Sequence, residues 1–389
     1  MLTLFPSARL GLIRMPQLLA KALPPLVFSA VLAGCATSDG DAGRPPIRAE
    51  DARALITRLI PSSVADRGGW AADVYSAFVV QDIAPTPDNV CAVLAVTEQE
   101  STFRADPPVP GLAAIAWKEI DRQVDRAGVP KFAVRTALGV TSPDGRTYAD
   151  RIDAVKTERE LSEIFEDFID MVPLGKRFLA SRNPVRTGGP MQVAVSFAEG
   201  HAGAHRYPYP VKGSIRHEVF TRRGGMYFGI AHLLGYEAPY PSPIYRFADF
   251  NAGRYASRNA AFQNALTIAS GIPLVLDGDL LLPGATSESP TGNTELAALT
   301  LSKRFDISAA AMHRDLERGT EPAFERTRLY ERVFARAEQM QGRPVPRAVI
   351  PTITLKSPKI TRTLTTEWFA KRVDERYQRC LVRARPQDG

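Results

Sequence analysis

Two carboxylates at the end of an apolar segment are the residues of this chain best suited to acid–base chemistry. Glu98 and Glu100 follow an uninterrupted apolar run at residues 90–96. Apolar surroundings and the negative end of a helix dipole both disfavour an ionised carboxylate, so both raise the pKa of a carboxyl group placed there. A carboxyl group with a raised pKa can act as a general acid near neutral pH. The sequence therefore predicts a catalytic acid at the C-terminal end of a helix.

The helix that carries these carboxylates has a clear beginning. Thr86 is a suitable N-cap, Pro87 suits the first helical position, and Asp88 lies in the first turn, where the helix dipole favours it. Its apolar residues cover every face, which predicts a central helix rather than a surface one. Because residues two apart on a helix project about 200° away from each other, only one of the two glutamates is expected to enter a given cleft.

Three segments resemble motifs of lytic transglycosylases, lysozyme-like enzymes that cut peptidoglycan. Residues 100–103 read Glu-Ser-Thr-Phe, similar to the family's Glu-Ser-x-Phe. Residues 189–192 resemble its Gly-Leu-Met-Gln motif with Pro in place of Leu, and residues 250–253 resemble its Tyr-Asn-Ala-Gly motif with Phe in place of Tyr. Residues 224–234 read like the helix that the family places before the third motif. The order is the family's own.

This resemblance implies a mechanism with one carboxylate, whereas glycosidases usually use two. In the family, one glutamate protonates the oxygen between N-acetylmuramic acid and N-acetylglucosamine, and then takes a proton from the muramoyl 6-hydroxyl, which closes a 1,6-anhydro ring. The resemblance gives this role to Glu100, because Ser-x-Phe follows Glu100 and not Glu98. The substrate-binding residues that it implies are Ser101, Gly189, Met191, Gln192, Tyr227, Tyr245, Phe250, Asn251 and Gly253.

Departures from the family's motifs leave alternatives open. Phe250 lacks the hydroxyl of the family's tyrosine, and Tyr245, five residues earlier, is a candidate to supply one. A lysozyme-type hydrolase that yields reducing ends is one alternative. A glycan-binding or scaffold lipoprotein without turnover is another, and it is favoured by Pro190, by Phe250 and by the long interval between the first two motifs.

Apolar spacing along the chain predicts a mainly α protein. The 389 residues are 44% hydrophobic and 23% charged, as in ordinary globular proteins. We expect a lysozyme-like core over residues 48–282, with a helical insertion at about 104–188, and a helical C-terminal region over 294–389. Within the core, one helix over 245–269 is expected to carry the third motif near its start.

The N-terminus resembles a bacterial lipoprotein signal peptide. Three basic residues precede an apolar run at 23–33, which is too short to span a bilayer as a stable helix. Residues 32–35 read Leu-Ala-Gly-Cys, similar to a lipobox. The resemblance implies that residues 1–34 are removed and that Cys35 is acylated.

Two further features follow from this N-terminus. Ala36 resembles the pattern that sorts Gram-negative lipoproteins to the outer membrane, so we expect a protein anchored by lipid at its periplasmic face. Residues 35–47 read as a flexible tether. The two remaining cysteines, Cys91 and Cys380, would then lie in an oxidising compartment, where they either form a disulfide or stay as free thiols.

Charge and metal-ligand patterns narrow the partners. The net charge is +7, but the basic residues are scattered without the dense, aromatic-interleaved run of a nucleic-acid site, so the expected partner is peptidoglycan. Glu199, His201 and His205 have ligand chemistry, but Gly200 and Gly203 are expected to break the helix that would hold them. No phosphate-binding or dinucleotide fingerprint is present. We therefore expect neither metal nor cofactor.

Overall fold

The computed structural model describes residues 48–282, 290–355 and 363–385, and these residues form almost only helices. This confirms the predicted mainly α class. The α-helices are α1 (Ala49–Leu59), α2 (Arg67–Val80), α3 (Pro87–Ser101), α4 (Leu112–Ala127), α5 (Lys131–Leu138), α6 (Tyr148–Ala154), α7 (Glu158–Met171), α8 (Gly175–Leu179), α9 (Val195–Ala204), α10 (Ile215–Val219), α11 (Arg222–Leu234), α12 (Ile244–Ala252), α13 (Ala256–Ser270), α14 (Asn293–Thr300), α15 (Ser302–Phe305), α16 (Ala309–Glu317), α17 (Arg328–Gln341) and α18 (Thr366–Ala384).

Short strands and 3₁₀ turns complete the described chain. Strands β1 (Thr187–Gly188) and β2 (Val193–Ala194) form an antiparallel hairpin, and β3 (Thr354–Leu355) pairs in the same sense with β4 (Leu364–Thr365). The 3₁₀ turns are Ala180–Arg182, Arg318–Thr320 and Pro322–Arg326. No described helix combines the length and the apolar content needed to cross a bilayer. Cys35 and the tether lie outside the described residues.

Helix α3 begins as its sequence predicts. The Thr86 side chain accepts the Asn89 N–H at 3.2 Å, and Pro87 occupies the first turn. Residues 90–97 are all buried, so the helix is central, and α1, α11 and α18 pack around it. The helix ends at Thr102 and Phe103, which both adopt the left-handed conformation (φ 51° and 57°). The chain therefore turns sharply directly after Glu100 and Ser101.

The buried apolar side chains form three clusters within one unit that begins at Ile47. The first joins the α3 region, the β1–β2 hairpin, α9–α12 and α18. The second joins α13 to α14–α17, and the third belongs to α4–α7. The interval expected to be an insertion thus has a hydrophobic cluster of its own.

These clusters cut across the predicted boundary at residue 282. Helix α13 packs with the C-terminal helices, whereas α18 returns to the first cluster. The reason lies in α18 itself, since Phe369, Val373, Tyr377 and Cys380 recur at helical spacing and bury one face against α3. The C-terminal helix is part of the core that holds the first motif.

A disulfide and a hydrogen bond fasten α18 to α3. Cys91 and Cys380 form a disulfide with their Cα atoms 5.5 Å apart and 289 residues apart in sequence. The Tyr377 hydroxyl donates to Asp88 at 2.9 Å. Because a cross-link over so long a loop restricts the unfolded chain strongly, it is expected to contribute to stability.

We predict that a variant with both Cys91→Ala and Cys380→Ala loses about 2–5 kcal/mol of unfolding free energy. Urea unfolding with and without reductant measures this, because the reductant should destabilise the wild type and leave the variant unchanged. Tyr377→Phe is the matched control, since it removes one hydrogen bond at the same helix pair and should cost about 1 kcal/mol. Equal stability of oxidised and reduced wild type would contradict the prediction.

Candidate functional site

Helix α3, which ends in the first motif, and the segments of the other two motifs all contact one helix, α11, at residues spaced three apart. Thr97 Oγ1 of α3 lies 3.7 Å from the Met226 sulfur. His232 Nε2 lies 3.2 Å from the carbonyl oxygen of Phe250. Between these two contacts, Gly229 faces Met191 of the second motif. A step of three residues moves the position around the helix axis by about 300°, which is about 60° less than a full turn. The three contacts therefore fall within roughly 120° of the circumference of α11.

Glu98 and Glu100 face different partners. Glu98 lies 3.5 Å from Arg376 and 3.9 Å from Arg379, both on α18. Glu100 is partly exposed and, two residues on, projects about 200° around α3 from Glu98. Helix α18 therefore engages the first carboxylate, and the second points to the other side of α3.

The turn after Glu100 is held by its own side chains. Ser101 is buried, and its hydroxyl donates to the Thr97 carbonyl at 3.1 Å and accepts the Arg104 N–H at 3.3 Å. Phe103 is also buried and meets Trp70 edge to face with ring centroids 5.5 Å apart. Ser101, expected to bind substrate, thus caps the C-terminal turn of the helix.

The second motif is the turn of the β1–β2 hairpin. Gly189 and Gln192 both have positive φ (74° and 50°), and a Cβ at position 189 would collide with the carbonyl oxygen of Val219. Met191 is fully buried against α11. Gln192 is partly exposed, and its amide donates to the Gly189 carbonyl at 3.2 Å. Glycine is therefore required at 189, and the Gln192 amide lies at the surface of the turn.

The third motif ends α12. Phe250 is 9% exposed and packs against His232 with ring centroids 5.0 Å apart. Asn251 is exposed, and its side-chain oxygen accepts the Thr366 hydroxyl of α18 at 3.2 Å. Gly253, with φ +109°, interrupts the chain between α12 and α13. The single helix expected over 245–269 is therefore wrong.

Of the two tyrosines expected to bind substrate, Tyr227 is buried and Tyr245 faces another side of α12 from Phe250. Tyr227 is 1% exposed and packs among aromatic rings that include Tyr207 and Phe228. Tyr245 is five residues before Phe250 on α12, which turns it about 140° away. Its hydroxyl thus does not occupy the position that a hydroxyl on Phe250 would have. Tyr227 belongs to the core of the site rather than to its surface.

Asp249, next to the third motif, was missed in the sequence. It is fully buried and accepts the hydroxyls of Tyr236 and Tyr240 at 3.0 and 2.6 Å. It also accepts the N–H groups of Tyr255 and Ser257, at 3.0 and 2.7 Å, and so fixes the start of α13. Burial raises the pKa of Asp249, and these hydrogen bonds oppose the rise. An acidic residue beside a motif, with two tyrosines shortly before it, is the sequence pattern that could have identified Asp249.

The histidines near α11 do not form a metal centre. Helix α9 runs through Gly200 and Gly203, so the expected break there is wrong. His201 and His205 stack with ring centroids 4.3 Å apart. Within the described ranges, no group of three or more His, Cys, Asp or Glu side chains is arranged to hold a metal ion.

An open hollow lies away from these motifs. It is on α4 and α5 of the insertion, and none of the predicted site residues lines it. Its lining includes Trp117, Lys118, Asp121 and Arg122, and Arg122 is ion-paired with Glu119. The order and mutual packing of the motifs, not this hollow, define the candidate site.

Fold and site together define a mainly helical protein with a carboxylate at the end of its central buried helix. The chain belongs to the family described as protein of unknown function DUF1615, whose model matches residues 63–383. It is 52% identical over 356 residues to the uncharacterized protein YaiW of Escherichia coli strain K12, covering 92% of this chain and 96% of that protein. No solved structure was found to match it.

We predict that Gly229→Ala destabilises the fold by about 1–3 kcal/mol, because the added Cβ would lie 2.6 Å from the Met191 Cβ. Gly203→Ala is the matched control, since nothing lies within 4 Å of that site and alanine favours a helix by about 0.5–1 kcal/mol. Urea unfolding of both variants tests this. A stabilised Gly229→Ala protein would mean that the hairpin does not pack on α11 in this way.

We predict that stability falls as the pH drops from about 6.5 towards 4. Burial, with Arg254 nearby, lowers the pKa of His232 to about 4, and burial with His205 lowers that of His201 to about 4. The unfolded chain therefore binds more protons in this interval, which favours unfolding. Urea unfolding across the interval measures the slope, which His232→Gln should reduce. An unchanged slope in that variant would exclude His232 as a source.

Proposed function

We propose that this protein is a peptidoglycan lytic transglycosylase with a lysozyme-like core and that Glu100 is its single general acid and base. The observation that carries the proposal is the convergence of the three motif segments on α11. Residues 97, 191 and 250 are distant in sequence, yet their segments contact successive turns of one helix. Segments that carry the motifs of one site must lie close together, and contact with a single helix meets that requirement.

In the proposed reaction, one carboxyl group serves both steps. Protonated Glu100 donates its proton to the glycosidic oxygen as the bond from that oxygen to the muramoyl C1 breaks. The carboxylate then removes the proton of the muramoyl 6-hydroxyl, and that oxygen bonds to C1. Glu100 regains its proton and no water is consumed, so a second carboxylate is unnecessary. The proposal gives Glu100 this role rather than Glu98, because Glu98 faces the arginines of α18.

The exposed and the buried motif residues are suited to two different roles. Gln192 and Asn251 are at least partly exposed, and we assign the contacts with sugar hydroxyl and acetamido groups to their amides. Ser101, Met191 and Phe250 are buried, and we assign them the positioning of the turns that carry Glu100 and the amides. The partner is a peptidoglycan glycan strand, and the chemistry requires neither metal nor cofactor.

We also propose that the protein is exported and anchored by acylated Cys35 at the periplasmic face of the outer membrane. The lipobox-like residues 32–35 carry this proposal. The disulfide between Cys91 and Cys380 supports it, because disulfides persist in oxidising compartments. A lipid anchor would keep the folded unit within reach of the peptidoglycan layer.

A glycan-binding protein without turnover is the second candidate. Phe250 supplies no hydroxyl, and the polar groups of Ser101 and Gln192 are already bonded within their own turns. These observations favour a site that has kept its shape and lost its reaction. Binding of purified sacculi without release of muropeptides would identify this candidate.

We predict that Glu100→Gln lowers muropeptide release from purified sacculi by at least about two orders of magnitude, the usual contribution of a general acid. Glu98→Gln is the matched control and should retain most activity, since it weakens only the ion pairs with α18. Liquid chromatography with mass spectrometry measures the release, and urea unfolding verifies that both variants are folded. Loss of activity in Glu98→Gln alone would assign the acid to the other residue.

The same chromatograms separate the transglycosylase from a hydrolase. Transglycosylase products end in 1,6-anhydro rings and are lighter than hydrolase products by the mass of one water molecule. We expect the anhydro form. Reducing ends in the products would establish the hydrolase instead.

A further inference from the structure

The turn that joins α7 to α8 presents large apolar side chains to solvent. Met171 and Val172 are 43% and 37% exposed, and Leu174 and Phe178 are both 64% exposed. We call residues 171–178 the apolar turn. Single exposed apolar residues are common, but four within eight residues are the kind of feature that accompanies an interaction surface.

Backbone geometry holds the apolar turn in place. The Gly175 N–H donates to the Val172 carbonyl at 2.7 Å, and the Phe178 N–H donates to the Leu174 carbonyl at 3.2 Å. Leu174 adopts the left-handed conformation at φ 61°. A Cβ on residue 175 would collide with the Ile169 carbonyl oxygen, so glycine is required there. The backbone hydrogen bonds and the glycine at 175 therefore fix the conformation in which the turn exposes its apolar side chains.

From the apolar turn onward the chain carries only positive charge as far as residue 198, whereas α7 ends in Asp167 and Asp170 just before the turn. Residues 171–198 contain Lys176, Arg177, Arg182 and Arg186 and no acidic residue. Arg177 and Arg182 are exposed. Most other arginines of the insertion have acidic partners, such as Arg151 with Asp167 at 2.7 Å. No ion pair among the described residues includes Arg177, Arg182 or Arg186.

We propose that the apolar turn inserts into the surface of a bilayer that contains anionic lipids. Exposed apolar side chains flanked by unpaired cations suit the boundary between acyl chains and negatively charged headgroups. The cations on the turn and on the segment that follows it favour a polyanionic surface as the partner. Leu174 and Phe178 would enter the acyl region, while Arg177 and Arg182 would lie at the level of the lipid phosphates.

The N-terminal tether is compatible with this contact. Residues 35–47 comprise thirteen residues, which extend to at most about 45 Å. If Cys35 is acylated, as proposed above, the folded unit remains close enough for the apolar turn to touch the same bilayer. The lipid-binding surface itself does not depend on the anchor or on the proposed enzymatic activity.

Sedimentation with lipid vesicles tests the proposal on the chain from residue 47 onward, the unit that contains all the described elements and lacks Cys35. We expect it to bind vesicles of phosphatidylcholine with phosphatidylglycerol and to bind pure phosphatidylcholine weakly. The double variant Leu174→Asn/Phe178→Ser should bind at least about tenfold less, as should Arg177→Gln/Arg182→Gln. Asparagine is chosen at 174 because it tolerates positive φ.

Phe132→Ser is the matched control, because Phe132 is 75% exposed on α5 of the same insertion but outside the apolar turn. It should bind vesicles like the wild type. Equal vesicle binding by the wild type and the Leu174→Asn/Phe178→Ser variant would overturn the proposal. So would loss of sacculus binding or of self-association in that variant with vesicle binding unchanged.

Lipid-free sacculi separate this proposal from the enzymatic one. The Leu174→Asn/Phe178→Ser variant should release muropeptides from them at the wild-type rate, if the wild type releases any. A failure of vesicle binding therefore leaves the enzymatic proposal untouched, and inactivity on sacculi leaves the lipid proposal untouched.

Discussion

Burial of α3 on every side is the constraint from which the rest of the structure follows. A helix without a polar face cannot lie at a surface, so other elements must cover it all round. Helices α1, α11 and α18 do so, and they come from the beginning, the middle and the end of the described chain. The free energy of covering these apolar side chains thus fixes the helices that surround the element carrying the first motif.

Close approach of backbones along α11 sets the finer geometry. Gly225 lies against Pro190, and Gly229 lies against Met191, with no room for a side chain at either glycine. The hairpin that carries Gln192 therefore rests directly on the helix. These glycines matter for close packing rather than for flexibility, because the absence of a side chain determines how near the hairpin can come to α11. A larger residue would move the hairpin away from α11.

The local features of the fold could be predicted from the sequence. The N-cap and the apolar run of α3 depend only on residues that are adjacent in sequence. The turn glycine at 189 lies inside a motif. The pairing of α18 with α3 could not be predicted, because an amphipathic helix shows that it has a buried face without naming its partner. The break at Gly253 was missed for a related reason. It depends on Asp249 and on two tyrosine hydroxyls, which meet only in the folded chain.

The residues of the candidate site likewise fall into those that the sequence identifies and those that only the packing reveals. Glu100, Gln192 and Asn251 stand out because short motifs single them out. The orientation of Glu98 towards Arg376 and the burial of Tyr227 follow from packing, which periodicity does not resolve in a helix that is apolar all round. The glycines in α9 led to an expected break that is absent. Tertiary contacts there outweigh the helix-weakening effect of glycine.

The return of α18 to α3 also determines when the protein can mature. During synthesis α3 leaves the ribosome when nearly three hundred residues are still to come before Cys380. Until then one side of the central buried helix has no cover, and the nascent chain presents an exposed apolar surface of the kind that chaperones bind. Folding of the first cluster is therefore completed only once α18 is present, and a chain truncated before α18 would leave the helix that carries Glu100 exposed on that side.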